Sequence, residues 1–170
     1  MVKKYLYWRL KGEIFIPIIN TSQGVGGILN SFKGLMNGVE KITFVGTPGF
    51  CTPFAELLGF VVRDRKLVFI PNMDFEKARS ISMTPEGMQL GEPTDAHADA
   101  VVLLGGLAMP KIGSGPEKAK EIVKKVLDGS EKQKIIGVCF QSMFMQQKWD
   151  EVINFDYIIN AELAVEVLES

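Results

Sequence analysis

Three short stretches of this 170-residue chain contain glycine, and two of them combine it with hydroxyl, thiol or amide side chains. They are residues 46–52 (GTPGFCT), 105–108 (GGLA) and 137–142 (GVCFQS), and each lies at the end of an apolar run. Glycine lets the backbone turn sharply and lets a ligand approach N–H groups closely, and a helix that begins after such a turn adds a positive dipole end. These residue types predict that an anionic group, such as a phosphate or a carboxylate, binds at the three stretches.

The first stretch carries the clearest strand, turn and helix pattern. Thr52 stands where a helix N-cap belongs, and Pro53 suits the first helical position. The stretch is neither a GxGxxG motif nor a P-loop, and it has no lysine at the phosphate end, so a capped helix after a tight turn is an equal alternative. The predicted ligand-binding residues of the three stretches are Gly46, Thr47, Gly49, Cys51, Thr52, Gly105, Gly106, Gln141 and Ser142.

The two cysteines suggest a different chemistry, that of a nucleophile. Residues 98–144 run strand, Gly-Gly, helix, strand, cysteine and helix, which is similar to the core of the class I glutamine amidotransferase and DJ-1-like superfamily. That resemblance implies an oxyanion site at the double glycine and a catalytic Cys139 on a sharp strand-to-helix elbow. Gly137 fits the pattern, but Gln141 stands where a glycine is usual, and no histidine follows Cys139. Packing or ligand contact is the alternative for Cys139, as burial is for Cys51, because free cysteine often behaves as a small apolar residue.

The single histidine, His97, lies in the pattern Asp95-x-His97-x-Asp99, whose spacing could hold a metal ion. It precedes an apolar run, so it is expected at the opposite end of the sheet from the glycine stretches. A surface histidine beside that strand is therefore the preferred interpretation, and no metal site is predicted.

Apolar runs of strand type alternate with segments of helical periodicity along the chain. The predicted strands are 42–45, 66–71, 100–104, 134–138 and 155–159, and residues 161–168 could be a sixth strand or a short helix. The predicted helices are 28–39, 52–62 and 116–127, and the buried stripe of the second is Phe54, Leu57, Leu58, Val61 and Val62. Residues 81–98 form a long polar connection, which could close over a ligand as a lid or contain a small hairpin of SISM against MQL.

This alternation predicts an α/β fold, a three-layer α/β/α sandwich around a mostly parallel sheet of five or six strands. The strand order is either Rossmann-like or flavodoxin-like. Residues 1–25 are expected to be an N-terminal extension, and residues 26–170 a single α/β domain. Because parallel strands end at one edge of a sheet, the three glycine stretches should meet there.

Composition excludes several classes of partner. The net charge is −1, with 19 basic and 20 acidic residues, so neither nucleic acid nor an anionic membrane surface is an expected partner. Arg9, Lys11 and Glu13 interrupt the apolar N-terminal patches, so neither a signal peptide nor a spanning segment is predicted. Two cysteines are too few for a disulfide framework, which favours a cytoplasmic protein. Nothing in the sequence names a cofactor.

The chain contains, in this order, the segments KITFVGTPGFCTPFAELLGFVVRD, TPEGMQL, DAHADAVVLLGGLAMPK, IIGVCFQSMF and FDYII. Together they resemble an archaeal family of unknown function, found mainly in methanogens. The resemblance runs from about Phe32 to Ile159. It implies a cytoplasmic archaeal protein with a Rossmann-like fold, and it implies no activity.

Three functions remain open. The preferred hypothesis is a module that binds a small anionic metabolite, nucleotide or cofactor fragment at the glycine stretches. The second is an enzyme with Cys139 as nucleophile. The third is a non-catalytic assembly protein, most simply a homodimer, which a sheet edge exposed along the fifth strand would favour. An oligomer contact could also bury an apolar patch near the end of the chain, formed by Phe140, Phe144, Trp149, Phe155 and Tyr157.

Overall fold

The computed structural model describes residues 7–8 and 16–169. Most of the predicted N-terminal extension, residues 1–6 and 9–15, lies outside the described residues. The strands are β1 (Tyr7–Trp8), β2 (Ile16–Pro17), β3 (Lys41–Gly46), β4 (Lys66–Pro71), β5 (Arg79–Thr84), β6 (Gly87–Pro93), β7 (Ala100–Leu104), β8 (Lys134–Phe140) and β9 (Tyr157–Ala161). The α-helices are α1 (Gly24–Leu35), α2 (Thr52–Phe60), α3 (Pro116–Leu127) and α4 (Met143–Gln146), and 3-10 helices cover Phe75–Lys77 and Gly105–Ala108.

The fold is a mixed α/β structure around a seven-stranded, mostly parallel sheet. The strand order is β6-β5-β4-β3-β7-β8-β9, in which β5 and β6 are antiparallel to their neighbours and the other neighbouring pairs are parallel. Numbered along the chain, the parallel strands have the order 2-1-3-4-5, which is the flavodoxin-like of the two predicted arrangements. The prediction of five or six strands was too low, because the β5–β6 hairpin extends the sheet.

Both faces of the central strands are buried, since successive side chains point to opposite sides. On one face, Val45 and Leu103 belong to an apolar cluster that includes Val123 of α3. On the other face, Phe44 belongs to a cluster that includes Leu58 of α2. Burial on both faces explains why these strands read as continuous apolar runs rather than as alternating ones.

The long polar connection is not a lid. Its first part forms the β5–β6 hairpin, in which Ile81 pairs with Leu90 and Met83 with Met88, as the hairpin alternative predicted. Its second part returns against the sheet, where the Thr43 hydroxyl donates to the Ala96 carbonyl at 2.8 Å. The prediction that residues 81–98 close over the glycine stretches is therefore wrong. The first part of this segment forms edge strands of the sheet, and the second part packs against β3.

The buried stripe of α2 was predicted correctly only in part. Leu58 and Val62 are buried as predicted, and Ala55 and Gly59 face the core too, whereas Phe54 is 39% and Leu57 38% exposed. A Cβ atom on Gly59 would lie 3.0 Å from Leu67 Cδ1, so the helix packs through its small residues and comes close to the sheet. The larger side chains consequently point outward.

The end of the chain differs from its prediction as well. The last strand is β9, and residues 162–169 are neither a strand nor a helix. Two members of the predicted apolar patch, Phe144 and Trp149, are buried in the core with ring centroids 5.5 Å apart. These two residues therefore belong to the core and are not part of an exposed apolar patch.

Candidate functional site

The strand order reverses between β3 and β7, where ligands bind in open α/β sheets. The loops that follow these two strands touch at this point. A Cβ atom on Gly106 would lie 2.5 Å from Cys51 Sγ and 2.8 Å from Thr47 Oγ1, so only glycine permits this approach. The first and second glycine stretches are thus brought together.

The third stretch lies beside the second. A Cβ atom on Gly105 would be 2.7 Å from Cys139 Cβ, and the rings of Phe54 and Phe140 are 4.9 Å apart between centroids. All three stretches therefore share the carboxyl edge of the sheet, because their strands run in parallel.

The space between the loops is filled by side chains. Cys51 and Thr47 are buried, with 3.4 Å between Sγ and Oγ1. Two surface concavities, of about 550 Å³ beside residues 71–77 and about 400 Å³ beside the start of β4, involve none of the predicted ligand-binding residues. A ligand at the glycine stretches would consequently lie on their outer surface.

The turn before α2 presents backbone donors to that outer surface. The helix N-cap is Cys51 rather than Thr52, so Thr52 and Pro53 are each one position further into the helix than predicted. The Cys51 N–H is bonded to the Thr47 carbonyl, whereas the N–H groups of Thr52 and Phe54 have no hydrogen-bond partner among the described residues. Gly49 is exposed and has a φ of +84°, a backbone conformation that favours glycine.

Cys139 is not on an elbow. It lies within β8, paired with Asn160 of β9, and its thiol is fully buried and donates to Asn160 Oδ1 at 3.5 Å. The positive φ values fall on Gln141 and Ser142, because β8 continues through Phe140 before the chain turns. The elbow that the amidotransferase-like resemblance implied at Cys139 is therefore wrong.

The surroundings of Cys139 also disfavour its thiolate. Burial raises the pKa of this thiol to about 11, and the N–H groups of Phe144 and Met143 oppose that rise only in part. The carboxylates of Glu162 and Asp150 raise the pKa further. A thiol in this state is protonated at neutral pH, so the structure gives no support to a nucleophilic Cys139.

This pKa predicts a pH dependence of stability. Between pH 9 and pH 11 the thiol is ionised in the unfolded chain and protonated in the folded one, so the free energy of unfolding falls as the pH rises. We expect wild type to lose roughly 2 kcal/mol more than Cys139→Ala between about pH 8 and about pH 10.5, measured by urea unfolding in reducing buffer. An equal loss in both proteins, or rapid alkylation of native Cys139 at neutral pH, would contradict the buried, protonated thiol.

Gln141 and Ser142 were predicted to bind a ligand, but the described hydrogen bonds of their side chains are to residues 160–163. The Ser142 hydroxyl donates to Glu162 Oε1 at 2.9 Å, and its N–H donates to Asn160 Oδ1 at 2.8 Å. In the amide orientation that satisfies both partners, Gln141 donates to Glu162 Oε2 at 2.9 Å and accepts from the Leu163 N–H at 2.7 Å. Sequence reasoning missed Asn160 and Glu162, whose only signal was a polar residue at the end of an apolar run.

In the Asp-x-His-x-Asp segment, the side chains make hydrogen bonds to one another and to the amino end of β3. His97 Nδ1 lies 2.5 Å from Asp95 Oδ1, and Asp95 also accepts a hydrogen bond from Lys41 Nζ at 2.9 Å. Asp99 Oδ2 accepts from the N–H groups of Glu40 and Lys41, at the amino end of β3. Among residues 7–8 and 16–169, no group of three or more His, Cys, Asp or Glu side chains has a metal-binding arrangement.

Comparison with known proteins identifies relatives across most of the chain. Residues 23–164 match the family described as "Uncharacterized protein conserved in archaea (DUF2124)". The chain belongs to this family. The DUF2124 match confirms the resemblance stated from the sequence segments, including the archaeal relatives.

The relatives extend the DUF2124 assignment to methanogens. An uncharacterized protein of Methanothermobacter thermautotrophicus is 43% identical over 141 residues, which cover 83% of this chain and 91% of that protein. An uncharacterized protein of Methanocaldococcus jannaschii is 38% identical over 160 residues, which cover 92% of this chain and 97% of that protein. A crystal structure of a protein of unknown function from M. thermautotrophicus superimposes with a TM-score of 0.86 at 40% identity, covering 91% of this chain and 99% of that one.

These DUF2124 relatives establish the family and the fold, and their names state no activity. In the part of the chain that the structure describes, no helix has the length and apolar character needed to cross a bilayer.

Proposed function

We propose that this protein binds a small anionic ligand, such as a metabolite, a nucleotide or a cofactor fragment, on the outer surface of the loops after β3 and β7. The observation that carries the proposal is the contact of Gly106 with Thr47 and Cys51 at the reversal of strand order. In flavodoxin-like sheets this crevice is where ligands lie. We further infer that the helices form one layer on each face of the sheet, as a three-layer sandwich requires.

The chemistry at this point suits negative charge. The N–H groups of Thr52 and Phe54 are unpaired among the described residues, and the nine-residue helix α2 directs its positive dipole end the same way. Pro53 has no N–H, so the two donors are separated by one residue without a donor. An anion with two or more oxygens could bridge them.

An apolar part of the ligand has a surface beside these donors. Phe50 is 56% exposed, and its Cβ would lie 3.6 Å from a Cβ atom on Gly106. An aromatic ring next to backbone donors can stack on the ring of a nucleotide or cofactor while the N–H groups hold its charged group. This combination favours a ligand with both an anionic and a planar part over a free inorganic ion.

Replacing Thr52 with glutamate tests the proposal without harming the helix. Thr52 is the first helical residue, where a negative charge stabilises the helix through its dipole. The same charge repels an anionic ligand, so we expect Thr52→Glu to weaken binding by at least ~10-fold, and the uncharged Thr52→Gln to change it by less than ~3-fold.

The measurement is thermal stabilisation by a panel of mononucleotides, dinucleotides, phosphorylated metabolites and carboxylates, followed by calorimetric titration of any ligand that stabilises. Binding by wild type and Thr52→Gln, with its loss in Thr52→Glu, supports the site. A panel without any stabilising ligand, or a ligand that binds Thr52→Glu as well as wild type, would rule out this site.

A further inference from the structure

The end of the chain carries the most exposed large apolar side chains among the described residues. Val165 is 83%, Val167 94% and Leu168 87% exposed, and Leu163 is exposed too. We refer to residues 162–169 as the C-terminal arm. Leu163, Val165 and Val167 alternate with other residues at the period of a β-strand, yet the arm is not part of the sheet.

The start of the arm is fixed. Ser142 and Gln141 bind Glu162, and Gln141 also holds Leu163, as described above. Beyond Leu163, residues 164–169 make no hydrogen bond to any other described residue. The arm therefore leaves the carboxyl end of β9 in a defined direction, with its backbone groups and apolar side chains available.

The sheet edge next to the arm is open within the described residues. Among residues 7–8 and 16–169, no strand pairs with the outer side of β9, whose sequence YIINA has neither charge nor proline. The opposite edge, β6, carries Glu92 and Pro93, and the β5–β6 pairing is irregular between Arg79 and Ile81. Charges, prolines and bulges prevent strands from pairing at an edge, so β6 is protected and β9 is not.

We propose that a second copy of this chain covers this surface. The β9 strand and the arm of each copy pair antiparallel across a two-fold axis, so that each arm lies along β9 of the other copy. A two-fold axis makes the contact self-complementary, as is usual for homodimers. Strand addition gives hydrogen-bond partners to the edge of β9 and to residues 164–168 at the same time.

The area available matches the needs of a stable dimer. Full burial of a valine or leucine side chain removes on the order of 100 Å² from water. The two arms carry four such side chains each, at positions 163, 165, 167 and 168. Together their exposed fractions supply roughly 600 Å², and the two strand edges add the remainder of the ~1,000 Å² expected of a specific interface.

Sedimentation of the full chain tests the dimer. We expect wild type at ~100 µM to have twice the 18.8 kDa mass of the chain, and the double variant Val165→Lys/Val167→Lys to be a monomer of unchanged thermal stability at low concentration. Both valines are exposed in the single copy, so lysine there does not disturb the fold. Hydrogen exchange at residues 164–168 should be at least ~10-fold slower in wild type than in the double variant.

Two controls separate this surface from others. Met83→Lys changes an exposed apolar residue of β5 and should leave the dimer intact, whereas Leu57→Lys changes the exposed face of α2. If Leu57→Lys dissociates the dimer and Val165→Lys/Val167→Lys does not, the contact belongs to α2 and the proposal is overturned. A wild-type protein that is monomeric at every concentration would overturn the proposal too. If the arm of such a monomer exchanged its amide hydrogens slowly, the arm would cover the β9 edge of its own chain.

Discussion

Gly46→Ala is expected to destabilise the protein by about 3 kcal/mol or more, as overpacking of a rigid interior does. A Cβ atom at this position would lie 2.3 Å from Cys51 Cβ, 3.0 Å from Cys51 Sγ and 3.2 Å from Leu104 Cδ1. Cys51 cannot move aside, because its N–H is bonded to the Thr47 carbonyl and its carbonyl accepts from the Ala55 N–H, both at 2.9 Å. The new methyl group therefore meets atoms whose backbone is fixed.

The measurement is the free energy of unfolding in urea, with Gly34→Ala in α1 as the matched control. A Cβ atom on Gly34 would meet nothing within 4 Å, so alanine there should stabilise the helix by about 0.5 to 1 kcal/mol. In the double variant Gly46→Ala/Cys51→Gly the conflicting atoms of Cys51 are absent, and we expect at least ~1 kcal/mol of favourable coupling. Strict additivity of the two substitutions would mean that the turn does not pack on Gly46 as described.

Phe144→Ala is expected to cost about 4 kcal/mol, because it removes a fully buried ring and leaves a cavity. The Phe144 ring centroid is 5.5 Å from that of Trp149 and 5.1 Å from that of Phe155, so the substitution also breaks two aromatic contacts. A Cβ atom on Gly137 would lie 3.0 Å from the Phe144 ring, which shows how closely the ring approaches β8.

Phe140→Ala is the matched control for this prediction. Phe140 is only partly buried and lies against Phe54, so its truncation should cost less than ~2 kcal/mol in urea unfolding. If the two substitutions cost the same, Phe144 would not be the centre of a core cluster, and the surface patch predicted for these aromatic residues would have to be reconsidered.

The two predictions concern the same edge of the sheet as the proposed ligand site, but they test its framework. The Gly46, Cys51 and Gly106 contacts hold two loops together, and Phe144 holds the loop after β8. Thr52→Glu, by contrast, changes only the charge on the outer surface. Loss of ligand binding in Thr52→Glu without loss of stability would therefore assign the effect to the ligand site and not to the packing of the loops.

The sequence by itself determined the family, the α/β class and the position of the central strands. The β4 and β7 strands were predicted with their observed bounds, and β3 within one residue at each end, because strands buried on both faces are continuous apolar runs that need no partner information to recognise. It also brought the three glycine stretches to one edge, since that follows from parallel strands alone. Ligand binding by those stretches stays a prediction.

Only the tertiary structure decided the strand order, the rotation of α2 and the positions of Cys139, Gln141 and Ser142. A helix with apolar residues almost all round has no single stripe to read, and close packing through Gly59 selected its small residues for the core. Cys139 lies within a strand rather than on an elbow because β8 runs one residue past it, and a strand ends where its neighbour stops pairing. Such outcomes depend on contacts between segments far apart in the chain, which local residue patterns do not encode.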